Sequence, residues 1–307
     1  MWRSYVICVL IGLLLVSTGG NVLLTRQMLA AQADTDRLRQ RLASVAVTAP
    51  PTPAAVPAPT MAASTADRLL LQQIEDQVAV LRGLQPKSPV TLRFLDQPAL
   101  QQYFVDRFNQ DYLPSERESD QKLLATLGLV KPNDTVVQIL LDVLQEQVIG
   151  VYNQDDKVMY MVTDRAQFGP EEKATFAHEY THALQDQYFD LSRLAPKHPT
   201  NDDRALAIQA LTEGDATLMQ RLWAQEKMTQ DEINQLGQGG ADSKLFSAPL
   251  FLRVQLLFPY SDGFNLSGRS TRQVGTPAST TCFAIHPIRP SRSCIRTSTA
   301  VTRSLST

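Results

Sequence analysis

The chain has 307 residues, a formal net charge of −2 and 43% hydrophobic residues, which allows one or two domains with a globular core. Six of the 29 Lys and Arg lie after Asp262, whereas none of the 31 Asp and Glu does, so the body carries −8 and the tail +6. An acidic body argues against nucleic acid as the main partner. Cys8 lies in the N-terminal apolar run and Cys282 and Cys294 lie near the C-terminus, so the body has neither a thiolate metal site nor a cysteine nucleophile.

Residues 1–25 read as a membrane anchor or signal peptide. Arg3 precedes an apolar stretch of 20 residues from Tyr5 to Leu24, interrupted by Gly12 and the Ser17-Thr18-Gly19-Gly20-Asn21 cluster. Ala31-Gln32-Ala33 offers a small-x-small cleavage site. Residues 26–66 read as a linker, polar at first and then rich in Pro, Ala and Thr, with Pro50, Pro51, Pro53, Pro57 and Pro59. Such composition prefers extended chain and cannot bury a core. An anchor followed by a stiff spacer implies a body held away from a membrane on its extracytoplasmic side, or secreted if the anchor is cleaved. Arg26, Arg37, Arg39 and Arg41 outnumber Arg3 and oppose a simple positive-inside assignment.

The folded body is expected over 67–262. Leu69, Leu70, Leu71, Ile74, Val78 and Leu81 predict an amphipathic helix ending near Gly83 and Pro86. Val90–Leu95 reads as a strand, followed by helices around Ala99–Asn109, Ser119–Leu127 and Val136–Gln145. Val148–Tyr152 and Val158–Val162 flank the polar Asn153-Gln154-Asp155-Asp156-Lys157 and predict a β-hairpin. Gly169-Pro170-Glu171-Glu172 starts a helix that carries Phe176, Ala177, Tyr180, Ala183 and Leu184 to the core. A second long helix starts near Asn201 and runs past Trp223.

The chemistry concentrates at His178-Glu179-Tyr180-Thr181-His182, which holds two of the chain's four histidines. Imidazoles four apart share one helix face and form a bidentate clamp for a tetrahedral metal, most naturally zinc. Glu179, beside that metal, is placed to take a proton from water. A third ligand must come from another segment, and Leu211-Thr212-Glu213-Gly214-Asp215-Ala216-Thr217 offers two carboxylates. On a helical projection Asp215 falls among Ile208, Leu211, Leu218 and Leu222, and Glu213 falls opposite, among smaller neighbours. Gly214 and those neighbours would let this helix approach the histidine helix, so Glu213 is the expected ligand. Asp215 and Asp186 compete to orient a ligand imidazole.

His178-Glu179-x-x-His182 followed by Glu213-Gly214-Asp215-Ala216 resembles a gluzincin metallopeptidase, and the wider pattern over Val148–Tyr260 is similar to membrane-tethered bacterial proteins of that class. The resemblance implies an α+β, zincin-like domain, mainly helical with a small sheet before the active-site helix. It implies His178, His182 and Glu213 as zinc ligands, Glu179 as general base, a peptide or protein substrate, and the strand Val158–Val162 as the one that pairs with that substrate. Thirty residues separate His182 from Glu213, more than usual for such proteins, and this predicts a loop through Phe189-Asp190-Leu191 and Lys197-His198-Pro199. Tyr260 is the candidate for stabilising an oxyanion, against the alternative of a packed aromatic in a turn. Two other readings stay open: a zinc-binding but inactive pseudo-peptidase that binds peptides, and a tethered helical interaction protein with an accidental motif.

From Ser267 to Thr307 Ser and Thr dominate, arginine is the only charge, and hydrophobic periodicity disappears. Residues 263–307 therefore read as a tail, either disordered or translated out of frame from near Phe264.

Overall fold

The computed structural model describes residues 64–274 apart from 132, 148, 163–167, 196–200 and 237–242. The expected anchor, nearly all of the linker, His198, His286, the cysteines and the far tail lie outside the described residues. No helix among the described residues is long and apolar enough to cross a membrane.

Helix α1, Thr65–Arg82, starts where the Ser64 hydroxyl accepts the Asp67 amide and stops at Gly83, whose φ of 70° suits a residue without Cβ. Leu71, Ile74, Val78 and Ala79 form its buried stripe. Strand β1, Thr91–Leu95, leads to α2, Gln97–Asp111, α3, Pro114–Thr126, and α4, Val136–Gln147. β2, Gly150–Asn153, and β3, Val158–Val162, form the expected hairpin, with Tyr152 opposite Met159. α5, Pro170–Phe189, carries proline in its first turn, and Glu172 accepts the Gly169 amide at 2.9 Å. The short α6, Leu191–Leu194, precedes α7, Asp202–Lys227, which Asn201 caps. α8, Gln230–Gln235, α9, Lys244–Ser247, and α10, Leu250–Val274, complete the described chain.

The three strands lie in the order β1-β3-β2, with β1 parallel and β2 antiparallel to β3. The fold class is thus α+β and mostly helical, as expected. The position of β3 corrects one expectation. Val158–Val162 is the central strand, hydrogen-bonded on both sides, so it has no free edge to offer an extended peptide. Its five residues are all buried, and its alternation sorts them between two cores. Val158, Tyr160 and Val162 join a cluster with α2, α3, α4, α9 and the start of α10. Met159 and Met161 face a second cluster with Ile74 and Val78 of α1, Phe176 and Tyr180 of α5, and Trp223 of α7. The sheet therefore separates a supporting layer from the layer that carries the histidines.

α10 was not legible as a helix. It contains Pro259, which removes one intrahelical bond, and it runs through Asp262, where the sequence places the end of the body. Leu252, Leu256, Tyr260 and Ser267 are nevertheless buried along one helical stripe. Residues 263–268 accordingly pack with the body rather than belonging to a tail.

The crossing of α7 and α10 is tight because both helices present glycine. A Cβ on Gly214 would lie 2.1 Å from the Gly263 carbonyl carbon, and one on Gly263 would lie 2.0 Å from Ala210 O. Gly214 therefore admits α10, not the histidine helix.

Candidate metal centre

α5 is buried on almost every side from Ala174 to Asp186, because α1, α7 and the sheet surround it. His178 and His182 project from one of its faces toward α7, which supplies Glu213. His178 Nε2 lies 3.1 Å from His182 Nε2. Glu213 Oε2 lies 3.2 Å from His178 Nε2 and 3.3 Å from His182 Nε2. Three ligand atoms thus converge on one point, and His178, His182 and Glu213 form a group that can hold a metal ion. It is the grouping expected from the sequence.

The electrostatics suit a cation. Burial alone would raise the Glu213 carboxyl, but His182 and His178 hold it down at about 2. Burial works to lower the His182 imidazole, yet the Glu213 carboxylate overrides it and raises the ring to about 9. With no cation at the centre, a proton on His182 supplies the positive charge that buried Glu213 requires. A divalent ion bound by the same three atoms would take over that role and release the proton.

Glu179 lies 4% exposed beside this cluster, with Oε2 accepting the Tyr152 backbone N–H of β2 at 2.7 Å. Burial pushes its carboxyl above the ordinary range, against the opposing pull of the two histidines and the Tyr152 amide. The strand whose backbone meets the site is therefore β2, one of the two edge strands, rather than β3.

Tyr260 reaches the site from α10. Its ring is tilted 35° to that of His178 with centroids 6.3 Å apart. It is a packed aromatic, 1% exposed, on a helix rather than in a turn.

Neither carboxylate expected to orient an imidazole touches one. Asp186 accepts from the Tyr152 hydroxyl at 2.7 Å, the Lys157 ammonium at 2.5 Å and the Leu191 amide at 2.9 Å. It pins the hairpin and the chain after α5. Asp215 accepts from Arg82 Nε at 3.0 Å and from Gln185 Nε2 at 2.8 Å. The group beside His182 is Gln185, whose Oε1 lies 2.9 Å from Nδ1. Gln185 stands three residues after His182, one turn along the same face, and that spacing is the signal by which sequence alone could have found it. Arg82 has no such signal. His178 Nδ1 has no hydrogen-bond partner among the described residues.

Comparison with protein-family models, with curated proteins and with solved structures gave no match for this chain.

Proposed function

We propose that the chain is a zinc-dependent metallopeptidase of zincin-like, gluzincin type, held outside the cytoplasm by its N-terminal segment. The triangle of ligand atoms is the observation that carries this reading. Metal–ligand bonds of about 2.0–2.1 Å directed tetrahedrally give ligand–ligand edges of roughly 3.3–3.4 Å. The three separations, 3.1, 3.2 and 3.3 Å, are close to those edges. Two imidazoles and one carboxylate also suit zinc chemically and leave a fourth position for water or a substrate carbonyl.

A zinc ion at this point would polarise the scissile carbonyl and lower the pKa of water toward about 7. Every other part of the reaction falls to the chain. Tyr152 N–H steadies Glu179 Oε2, which leaves Oε1 to take the proton from attacking water and return it to the leaving amine. The burial that pushes the Glu179 carboxyl above its ordinary range favours its taking up that proton. Tyr260, beside His178, is the candidate donor to the developing oxyanion. The apolar run at Tyr5–Leu24 and the proline-rich spacer support the extracytoplasmic placement.

Closure of the site favours a second reading, a zinc-binding protein without hydrolytic activity. His178 and Glu213 are 1% and 2% exposed, and so deep a site gives a peptide little room to reach the fourth position. Glu179→Gln separates the two. The metallopeptidase reading requires that this variant keep one zinc per chain and lose peptide cleavage that the wild type performs. A wild type that holds zinc and cleaves no peptide would leave the non-hydrolytic reading. A wild type without zinc, unchanged by His178→Ala, would remove both.

A further inference from the structure

The position of Gln185 follows from what its neighbours can and cannot donate, and its meaning rests on the metal site proposed above. A glutamine amide can face either way, so its orientation must be read from its partners. Gln185 Nε2 lies 2.8 Å from Asp215 Oδ2 and 3.0 Å from the Thr212 carbonyl oxygen. A carbonyl only accepts. Asp215 Oδ2 also accepts from Arg82 Nε at 3.0 Å, so this oxygen serves as an acceptor on both sides. Both amide hydrogens of Gln185 are committed to these two atoms, and its Oε1 is left facing His182 Nδ1 at 2.9 Å. An amide oxygen has no hydrogen to give. His182 must therefore carry a proton on Nδ1, and when the ring is neutral, as a metal ligand must be, Nε2 is the nitrogen whose lone pair is left for the point shared with His178 and Glu213.

We propose that Gln185 is a positioning residue for the metal: Asp215, anchored by Arg82, locks its amide, and the amide fixes the tautomer and ring angle of His182. Arg82, Asp215 and Gln185 are all fully buried, so solvent neither competes for these bonds nor rotates the amide. Three helices meet in the chain of contacts. Arg82 closes the last turn of α1, Gln185 belongs to α5, and Asp215 lies two residues beyond the ligand Glu213 on α7. The same helices that bring the ligands together thus bring the lock, and the lock serves one imidazole. His178 Nδ1 has no equivalent among the described residues. A buried ion pair of this kind contributes little net stability for its desolvation, and holding a glutamine amide in one of two orientations is a role that needs it.

The test uses the full chain and zinc itself. Gln185→Met keeps the length and volume of the side chain and removes the acceptor for Nδ1. Zinc affinity is measured by competition with a chromophoric chelator, and the visible spectrum of the cobalt-loaded chain reports ligand geometry. The expected result is a zinc Kd weakened roughly 10- to 100-fold, with an altered cobalt spectrum. Val143→Ala, in the opposite core, lowers the melting temperature and should leave both readouts unchanged. A Gln185→Met chain that binds zinc within twofold of wild type would overturn the positioning role and leave the metal site standing. Equal weakening by Val143→Ala would also overturn it, because general destabilisation would then be the cause. Absence of zinc from the wild type would instead remove the metal site itself. Should Gln185→Met fail to fold, long-range proton–nitrogen NMR of the zinc-loaded wild type decides. His182 must show a protonated Nδ1 and a metal-shifted Nε2, and the reverse assignment would sink the proposal.

Discussion

Replacing Gly263 by alanine inserts one methyl group into the crossing of α7 and α10, and its cost can be worked from the structure. The new Cβ would stand 2.0 Å from Ala210 O and 2.9 Å from Ala210 C, both backbone atoms within α7. Carbon and oxygen do not approach closer than about 3.0 Å, so one helix must retreat by about 1 Å, and no flexible side chain can yield instead. A gap of that size forfeits a quarter to a half of the dispersion attraction along the contact. Overpacking against backbone costs about 3 kcal/mol, from which the better helix propensity of alanine recovers about 1 kcal/mol. The net loss is about 2 kcal/mol, or about 4–8 °C in Tm for a domain of this size. Thermal and urea unfolding of the full chain measure it. Gly268→Ala is the matched control, because the same substitution on the same helix meets nothing within 4 Å. It should be neutral or stabilising by up to about 1 kcal/mol. If Gly263→Ala behaves like Gly268→Ala, the close crossing does not exist and the assignment of residues 263–268 to the folded body falls with it.

Tyr260→Phe should lower kcat about 10²- to 10³-fold with zinc content and KM little changed, if its hydroxyl steadies the oxyanion; unchanged turnover would leave Tyr260 as packing alone. Chelation should lower the Tm of the wild type, and readdition of zinc at a thousandfold excess over Kd should restore about 4 kcal/mol, whereas His182→Ala should be indifferent to both treatments. Glu75, on α1, gives a pH dependence of stability. Burial, assisted by Asp76 and opposed by Gln72, raises its carboxyl to about 7. A carboxyl raised on folding binds its proton more tightly in the native state, so stability falls as pH rises from about 4.5 to about 7. Solvent screening of this half-buried group reduces the cost to roughly 1–2 kcal/mol. Glu75→Gln should therefore raise Tm at pH 8 and leave it unchanged at pH 4.5, and an equal effect at both would contradict the cause given.

The parts of the fold legible in the sequence are those encoded locally. Gly83 ends α1, proline and two acids open α5, and the polar turn between Val151 and Val158 announces the hairpin, whereas Ser64, which caps α1, lies in the stretch that reads as linker. His178, Glu179 and His182 are legible for the same reason, since one helical turn fixes their relation. Glu213 required a second helix but lay within a recognisable local pattern. What the sequence concealed is long-range. β1 pairs in parallel with a strand 63 residues further on, and nothing in Val158–Val162 says that both its edges are taken. Gly214 reads equally well as an opening toward α5 or toward α10, and only the glycine at 263 decides between them. α10 was hidden because Pro259 and Gly263 each suggest an ending, while the buried stripe through Leu256 and Tyr260 overrides both. By residue type Asp215 and Asp186 read as carboxylates near imidazoles, whereas Arg82 and Lys157 claim them as ion-pair partners.

The pairing of Arg82 with Asp215 spans 133 residues, and this separation has a consequence for how the chain matures. During synthesis α1 emerges with a cation on the face it must bury, and the Asp215 carboxylate that meets it is not made until α7. Desolvating that guanidinium alone is costly, so docking of α1 gains by waiting for α7, just as pairing of β1 requires β3. The imidazole clamp on α5 is complete earlier, as a single helix, but its third ligand and its lock arrive together on α7. A metal held by His178, His182 and Glu213 would therefore be captured late, together with closure of the amino-terminal helix.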